Sequence, residues 1–174
     1  HDYCKQNKIN RNVYIKPIDN LYLGYRISNN EINNYLKTKF NKKKYYIFKN
    51  FTPKMIAKDI FSGKVIGRCS GKMEFGLRAL GNRSILCDPR HFSNINKINS
   101  KIKKRDFWMP FTPSILSEDF DKYILNPKKL NAKFMSMAFN TTLLGQKMLQ
   151  AAIHPADYTA RPQKLEKKDN PEYY

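Results

Sequence analysis

From Thr52 onward the chain switches repeatedly between two hydrophobic periods, and that alternation narrows its fold more than any other feature. Helices repeat apolar residues every three to four positions, strands every two. Thr52 and Pro53 open a helical stretch, with the proline at its first position and Gly63 just beyond its end. Met55, Ile56 and Ile60 supply its apolar face. Residues 65–69 and 84–88 read as strands, the second closed by Pro89. Phe92, Ile95, Ile98 and Ile102 share one face of a further helix. Residues 110–116 read as extended, because each proline biases its predecessor away from helix. Ser117 is placed to cap a short helix holding Phe120, Tyr123 and Ile124. Residues 133–139 alternate and read as a strand. Upstream, Ser28 and Glu31 form a capping box ahead of Ile32, Tyr35 and Leu36, and residues 12–17 read as a short strand ending at Pro17. Helix and strand alternating without an internal repeat predict an α/β domain: a mixed, twisted sheet with flanking helices.

A length of 174 residues with 41% hydrophobic content suits one good core. No apolar run is long enough to cross a bilayer, and the polar start carries no signal-peptide pattern. Cys4, Cys69 and Cys87 lack metal-like spacing and leave one thiol over in any pairing. Reduced thiols and a cytoplasmic location are the expectation, with Cys69 and Cys87 as core fillers. The net charge of +19 has two readings. It marks a nucleic-acid or polyphosphate partner, or it reflects lysine-rich composition throughout, as in the solvated runs 42–44 and 167–168. The second is favoured, and with it small-molecule anions over nucleic acid.

Residues 72–86 set Lys72, Arg78 and Arg83 among Gly76 and Gly81, with Glu74 ahead of the arginines. Glycine lets a backbone turn sharply and approach a ligand closely. Arginine presents a planar fork that matches phosphate or carboxylate oxygens. The segment therefore reads as an anion-holding loop, or more plainly as a basic turn before a strand. Lys103 and Arg105, two apart on an extended segment, would share a face and clamp neighbouring phosphates. A basic helix end is the alternative. His154 near Asp157 has the makings of an acid–base pair, although a hydrogen-bonded structural histidine is commoner. Trp108 suits stacking on a base, or packing beside Phe107 and Phe111.

The wording of these segments is more specific than their physics. Residues 72–86 resemble the G-R-M-E-F-G-P-R-A-L-G-N-R-S-I-L signature of the carbamoyltransferases that include nodulation and antibiotic O-carbamoyltransferases. Residues 99–116 are similar to that family's I-K-x-R-x-x-W-x-P-F-x-P-S block, residues 154–163 to its H-x-D-G-T-A-R-x-Q block, and residues 170–174 to its N-P-x-Y-Y. Three departures stand out. Lys72 replaces an arginine, Leu77 a proline, and Tyr158 stands where the family most often has glycine, with one extra residue after His154. Loss of the proline costs the loop ~0.5–1 kcal/mol of preorganisation.

The resemblance implies a C-terminal domain similar in fold to the threonylcarbamoyl-adenylate synthases. Such a domain binds ATP, with Mg²⁺, and carbamoyl phosphate as co-substrate, forms carbamoyl adenylate, and supplies it for transfer to a small-molecule hydroxyl. It implies catalytic roles for Lys103, Arg105, Arg161 and His154, and substrate or nucleotide contacts for Arg78, Arg83, Glu74, Asn82, Ser84, Asp157 and Thr159. Glu74 would orient an arginine rather than act as a base. No metal-ligand cluster is apparent. Residues 1–27 resemble the last part of the family's larger transfer domain, and residues 28–174 its C-terminal domain up to a point before an N-T-S-F-N segment. The expectation is a fragment whose transfer domain is its natural partner and which does not carbamoylate an acceptor by itself. A basic nucleic-acid-binding module and an inactive remnant or scaffold are the alternatives.

Overall fold

Local signals start two of the helices where the sequence puts them. The computed structural model describes residues 2–10, 18–41, 44–48, 50–106 and 108–174; the strand expected at 12–17 lies outside these, as does Phe107. A short α1 (Asp2–Gln6) precedes α2 (Asn29–Thr38). At the start of α2 the Ser28 hydroxyl accepts from the Glu31 N–H at 3.2 Å, and the Ser28 N–H donates to Glu31 Oε2 at 2.8 Å. This satisfies two N–H groups that the helix cannot pair internally. α3 (Pro53–Phe61) starts from Thr52, whose hydroxyl accepts from the Met55 N–H. Gly63 follows the helix at φ 85°. The expected apolar faces are present but only partly covered, with Leu36, Ile56 and Ile60 half-buried. Neither helix contains a buried residue, and Ile32, Tyr35 and Met55 are exposed.

Among the described residues the strands form three short ladders rather than one sheet. β1 (Ile66–Cys69) pairs antiparallel with β2 (Arg83–Leu86), Ile66 opposite Leu86 and Cys69 opposite Arg83. α4 (Ser93–Ile98) then runs into a π-helical turn, Asn99–Lys103. Ile95 and Ile98 are 1% exposed, whereas Phe92 and Ile102 stay in solvent. β3 (Ser114–Leu116) pairs parallel with β6 (Gln163–Leu165), the last strand of the chain. Between them come α5 (Phe120–Tyr123), β4 (Ile124–Leu125) antiparallel to β5 (Asn140–Thr141), and α6 (Leu143–Met148). The mixture of helix and strand is as expected; the single twisted sheet is replaced by these separate pairs.

Three local expectations need correction. Ser117 does not cap α5: its hydroxyl bonds Glu118, and α5 begins after Asp119 with no side-chain cap. Residues 133–139 are not a strand, because Met135 adopts φ 52° and breaks the alternation; only Phe139 pairs, with Ala160. Cys69 is exposed and Cys87 half-buried, so neither fills the core; the buried thiol is Cys4.

The main core joins Ile115, Phe120, Ile124, Ala132, Phe139, Leu149, Ala152, Ile153 and Ala160. Phe120 and Phe139 meet edge to face with centroids 6.4 Å apart, an arrangement that suits the ring quadrupoles. Burying each large side chain contributes ~1.5–3 kcal/mol. α6 reaches this core only because residue 145 is glycine: a Cβ there would lie 2.2 Å from the Tyr123 carbonyl oxygen. Among the described residues, no helix is long and apolar enough to cross a membrane.

Candidate functional site

The glycine-rich loop before β2 does hold an anion, and that anion is its own glutamate. Glu74 Oε1 accepts from the backbone N–H of Leu80 at 2.8 Å, Asn82 at 2.7 Å and Arg83 at 3.1 Å. Successive N–H groups converging in this way form an anion-binding nest. Burial pushes the Glu74 carboxyl up, but the backbone N–H groups outweigh it and hold it below its ordinary value. Ser84 closes the turn by accepting from the Gly81 N–H at 2.9 Å. Gly81 sits at φ 114°, and a Cβ there would lie 2.3 Å from Tyr173 Cδ1. Both constraints demand glycine.

Around this loop the separate motifs meet. The Leu80 carbonyl accepts from the Tyr22 hydroxyl at 2.7 Å and from Gln163 Nε2 at 2.9 Å. Gln163 Oε1 in turn accepts from the Ser114 hydroxyl at 2.9 Å, and Tyr173 bonds the same hydroxyl at 3.0 Å. Buried Asn82 Oδ1 accepts from Asn170 Nδ2 at 2.9 Å and from Arg68 Nη1 at 2.8 Å. Arg68 also donates to the Gly81 carbonyl at 2.8 Å and stacks over Tyr173, 5.3 Å from its centroid. Glu172 takes the Ser70 hydroxyl at 2.7 Å and approaches Arg68 at 3.7 Å. One residue or more from each of the four sequence blocks therefore enters a single hydrogen-bonded knot. Buried polar groups must be paired, so this knot ties distant segments together by the cost of leaving any member unpaired.

The residues expected to act fall into two groups. Glu74, Asn82, Ser84 and Arg83 face the knot. Arg83 Nη1 donates to the carbonyls of Ser70 at 2.7 Å and Asn82 at 2.9 Å, and its Nη2 to Gly71 at 3.3 Å. Arg78, Lys103, Arg105 and Arg161 are exposed, and among the described residues their side chains have no ion pair or hydrogen bond. Arg78 and Arg161 each stand two residues from the Gln163–Leu80 bond, so their segments lie side by side. Lys103 ends the π-helical turn and Lys104 adopts φ 49°. That left-handed residue removes the shared strand face expected for Lys103 and Arg105. Trp108 is half-exposed rather than packed in the core.

His154, Asp157 and Thr159 share one tight turn. Asp157 Oδ1 accepts from the Thr159 N–H at 2.9 Å and hydroxyl at 2.8 Å, and lies 3.3 Å from His154 Nδ1. The Thr159 N–H, then its hydroxyl, with a smaller part from His154, hold the Asp157 carboxyl below its ordinary range. Tyr158 adopts φ 57°, a left-handed conformation that glycine takes without strain.

Eight side chains of the knot are not among the site residues expected from sequence. Ser114, Gln163, Asn170, Glu172 and Tyr173 lie inside recognisable blocks, a usable signal; Tyr22, Arg68 and Ser70 lie in none. A mainly apolar cleft of about 410 Å³ opens elsewhere, between α3, the 88–90 turn, β3 and α6. None of the expected site residues line it.

Residues 57–174 match the family described as Carbamoyltransferase C-terminus. Uncharacterized protein MJ1058 of Methanocaldococcus jannaschii is 40% identical over 163 residues, covering 92% of this chain and 26% of that protein. Nodulation protein NolO of Bradyrhizobium diazoefficiens is 42% identical over 114 residues, covering 65% of this chain and 21% of that protein. Uncharacterized protein sll1178 of Synechocystis is 32% identical over 195 residues, covering 100% and 31%. The chain thus spans between a fifth and a third of the length of these relatives. With its family blocks joined in one knot and its family match running over most of its length, the chain belongs to the carbamoyltransferase C-terminus family.

Proposed function

We propose that this chain is the phosphate-handling domain of a carbamoyltransferase, binding ATP and carbamoyl phosphate and forming carbamoyl adenylate. The observation that carries this is the division of labour among its cations. Arg68 and Arg83 are bonded within the knot, while exposed Arg78 and Arg161, each two residues along the chain from the Leu80–Gln163 bond, have no internal partner among the described residues. Unpaired guanidinium groups suit phosphate oxygens. Lys103 and Arg105 add charge from the end of the π-helical turn.

In the reaction proposed, water cleaves carbamoyl phosphate to carbamate and inorganic phosphate; a carbamate oxygen then bonds to the α-phosphorus of ATP as the bond to pyrophosphate breaks and pyrophosphate leaves. Negative charge builds on the phosphoryl oxygens, and fixed cations stabilise it. His154, steadied by Asp157, orients the substrate. Glu74, Asn82, Ser84 and Arg83 keep the loop in shape. Among the described residues no cluster of carboxylates, histidines and cysteines could hold a metal, so Mg²⁺ would arrive on the nucleotide's phosphates. Passage of the carbamoyl group to a small-molecule hydroxyl belongs to the whole protein.

Calorimetry with ATP and with carbamoyl phosphate tests the reading. Replacing Arg78, Arg161, Lys103 or Arg105 by alanine is expected to weaken binding by ~1.5–3 kcal/mol where the cation makes a charge-assisted bond. Equal affinities for the wild type and all four variants would overturn the assignment.

A further inference from the structure

Among the described residues the side chains of Lys103 and Arg105 have no hydrogen bond or ion pair, so the backbone decides where the two cations are presented. That backbone is held from one buried residue. Asn99, 2% exposed, follows buried Ile98 at the point where α4 becomes the π-helical turn. Its carbonyl accepts from the N–H of Lys104 and from that of Arg105, the latter at 3.3 Å. Its Nδ2 donates to the Asp106 carbonyl at 3.1 Å and to the Met109 carbonyl at 3.4 Å. Four backbone groups of residues 104–109 thus converge on a single residue. Lys104, between the two cations, adopts φ 49°. Residues other than glycine disfavour that conformation and keep it only where their surroundings hold them in it.

We infer that Asn99 is a positioning residue for Lys103 and Arg105: it clamps the turn that carries both cations and touches no ligand itself. The inference rests on the proposed reading that these cations meet phosphate oxygens. A fixed backbone spares part of the ordering that a long cationic side chain must undergo when it binds. Cations set in place beforehand stabilise developing charge without rearranging. The position is built for an amide. Its NH₂ group has two hydrogens and meets two carbonyls, whereas leucine, of similar size, would leave both carbonyls without this donor. Asn99 Oδ1 is buried with no partner among the described residues, so the amide is kept for its donors. Asn94 supplies the contrast within α4. It is 1% exposed, and its Nδ2 donates to the Asp88 carbonyl at 2.8 Å, away from the cation-bearing turn.

Calorimetry with ATP on this chain, together with amide hydrogen exchange in the absence of ligand, tests the assignment. Asn99→Leu is expected to weaken ATP binding about tenfold and to speed exchange at Lys104 and Arg105 by about the same factor, with the β1–β2 amides unchanged. When Lys103 and Arg105 are both alanine, the same substitution should change affinity less than about twofold; with Arg78→Ala it should again cost about tenfold. Asn94→Leu should lower the melting temperature and leave ATP affinity unmoved. Lys104→Pro reaches the turn from an exposed position, where folding is not at stake. It removes the N–H that Asn99 holds and forbids positive φ. It should bind ATP about fivefold more weakly than Lys104→Ala, which loses only the charge. Equal losses in every background, unchanged exchange, or matching affinities for Lys104→Pro and Lys104→Ala would overturn the inference and leave the phosphate reading standing. ATP binding alike to the wild type and to the variant lacking both Lys103 and Arg105 would overturn both.

Discussion

The two parts of this chain form regular structure equally well and bury apolar surface very unequally. Apart from Cys4, every buried apolar side chain among the described residues lies at or beyond Leu80. Residues 18–77 carry well-capped helices and a paired ribbon, residues 21–26 beside 72–75, yet Leu23, Tyr25, Tyr35, Phe48, Phe61 and Phe75 remain exposed. The difference teaches that capping and turn signals suffice to set local geometry, while burial needs a complementary surface. A helix cap satisfies N–H groups within a few residues of itself. An amphipathic face is covered only when another element meets it.

Three substitutions test that contrast. Phe120→Ala, at the centre of the C-terminal core and fully buried, is expected to cost ~3–5 kcal/mol in urea unfolding. A loss below about 1 kcal/mol would mean that the core described above does not dominate stability. Glu74→Gln should cost ~1–2 kcal/mol, because an amide replaces the carboxylate that three N–H groups share. Its signature is in pH. The Glu74 carboxyl is held below its ordinary value of 4.5 in the fold. It therefore contributes stability that is present above that value and lost as pH falls through the depressed folded value. The variant should lack this portion of the acid limb, and matching acid profiles for both proteins would show that the nest does not hold a carboxylate. Ile32→Ser, on the uncovered face of α2, should change stability by no more than about 0.5 kcal/mol. A cost several times larger would show that α2 is packed after all and would erase the contrast.

Much of the secondary structure was legible, and the reason is locality. Ser28 and Glu31 are three residues apart, as are Thr52 and Met55, so their bonds form whatever the rest of the chain does. The failures have non-local causes. The alternation across residues 133–139 promised a strand, but Lys133 is drawn into ion pairs with Asp169 at 2.8 Å and Glu166 at 3.3 Å, and Met135 turns left-handed. Ser117 looked like a cap, yet its N–H is taken by the Leu165 carbonyl from the far end of the chain. At the candidate site, residues 72–86 read locally as a loop for a ligand's anion in which Glu74 would orient an arginine; in the structure Glu74 instead accepts from the backbone N–H groups of Leu80, Asn82 and Arg83. Nothing local said that the anion is Glu74. Nor could spacing show that Arg68 braces Asn82 and Gly81.

The sequence by itself determined the family, through four ordered blocks; the starts of α2 and α3, through their caps; and the glycine-containing turn at Gly81. Only the tertiary structure decided that the sheet divides into three pairs, and that Gln163, Asn170 and Tyr173 close over the Leu80–Asn82 turn. It also decided which arginines are bonded within the fold and which stand beside it. The physical reason is the range of the interactions. Propensity, capping and backbone sterics act within a few residues and leave a mark in the local sequence. A hydrogen bond between Asn82 and Asn170 depends on how the intervening chain packs, and neither residue's neighbours record it.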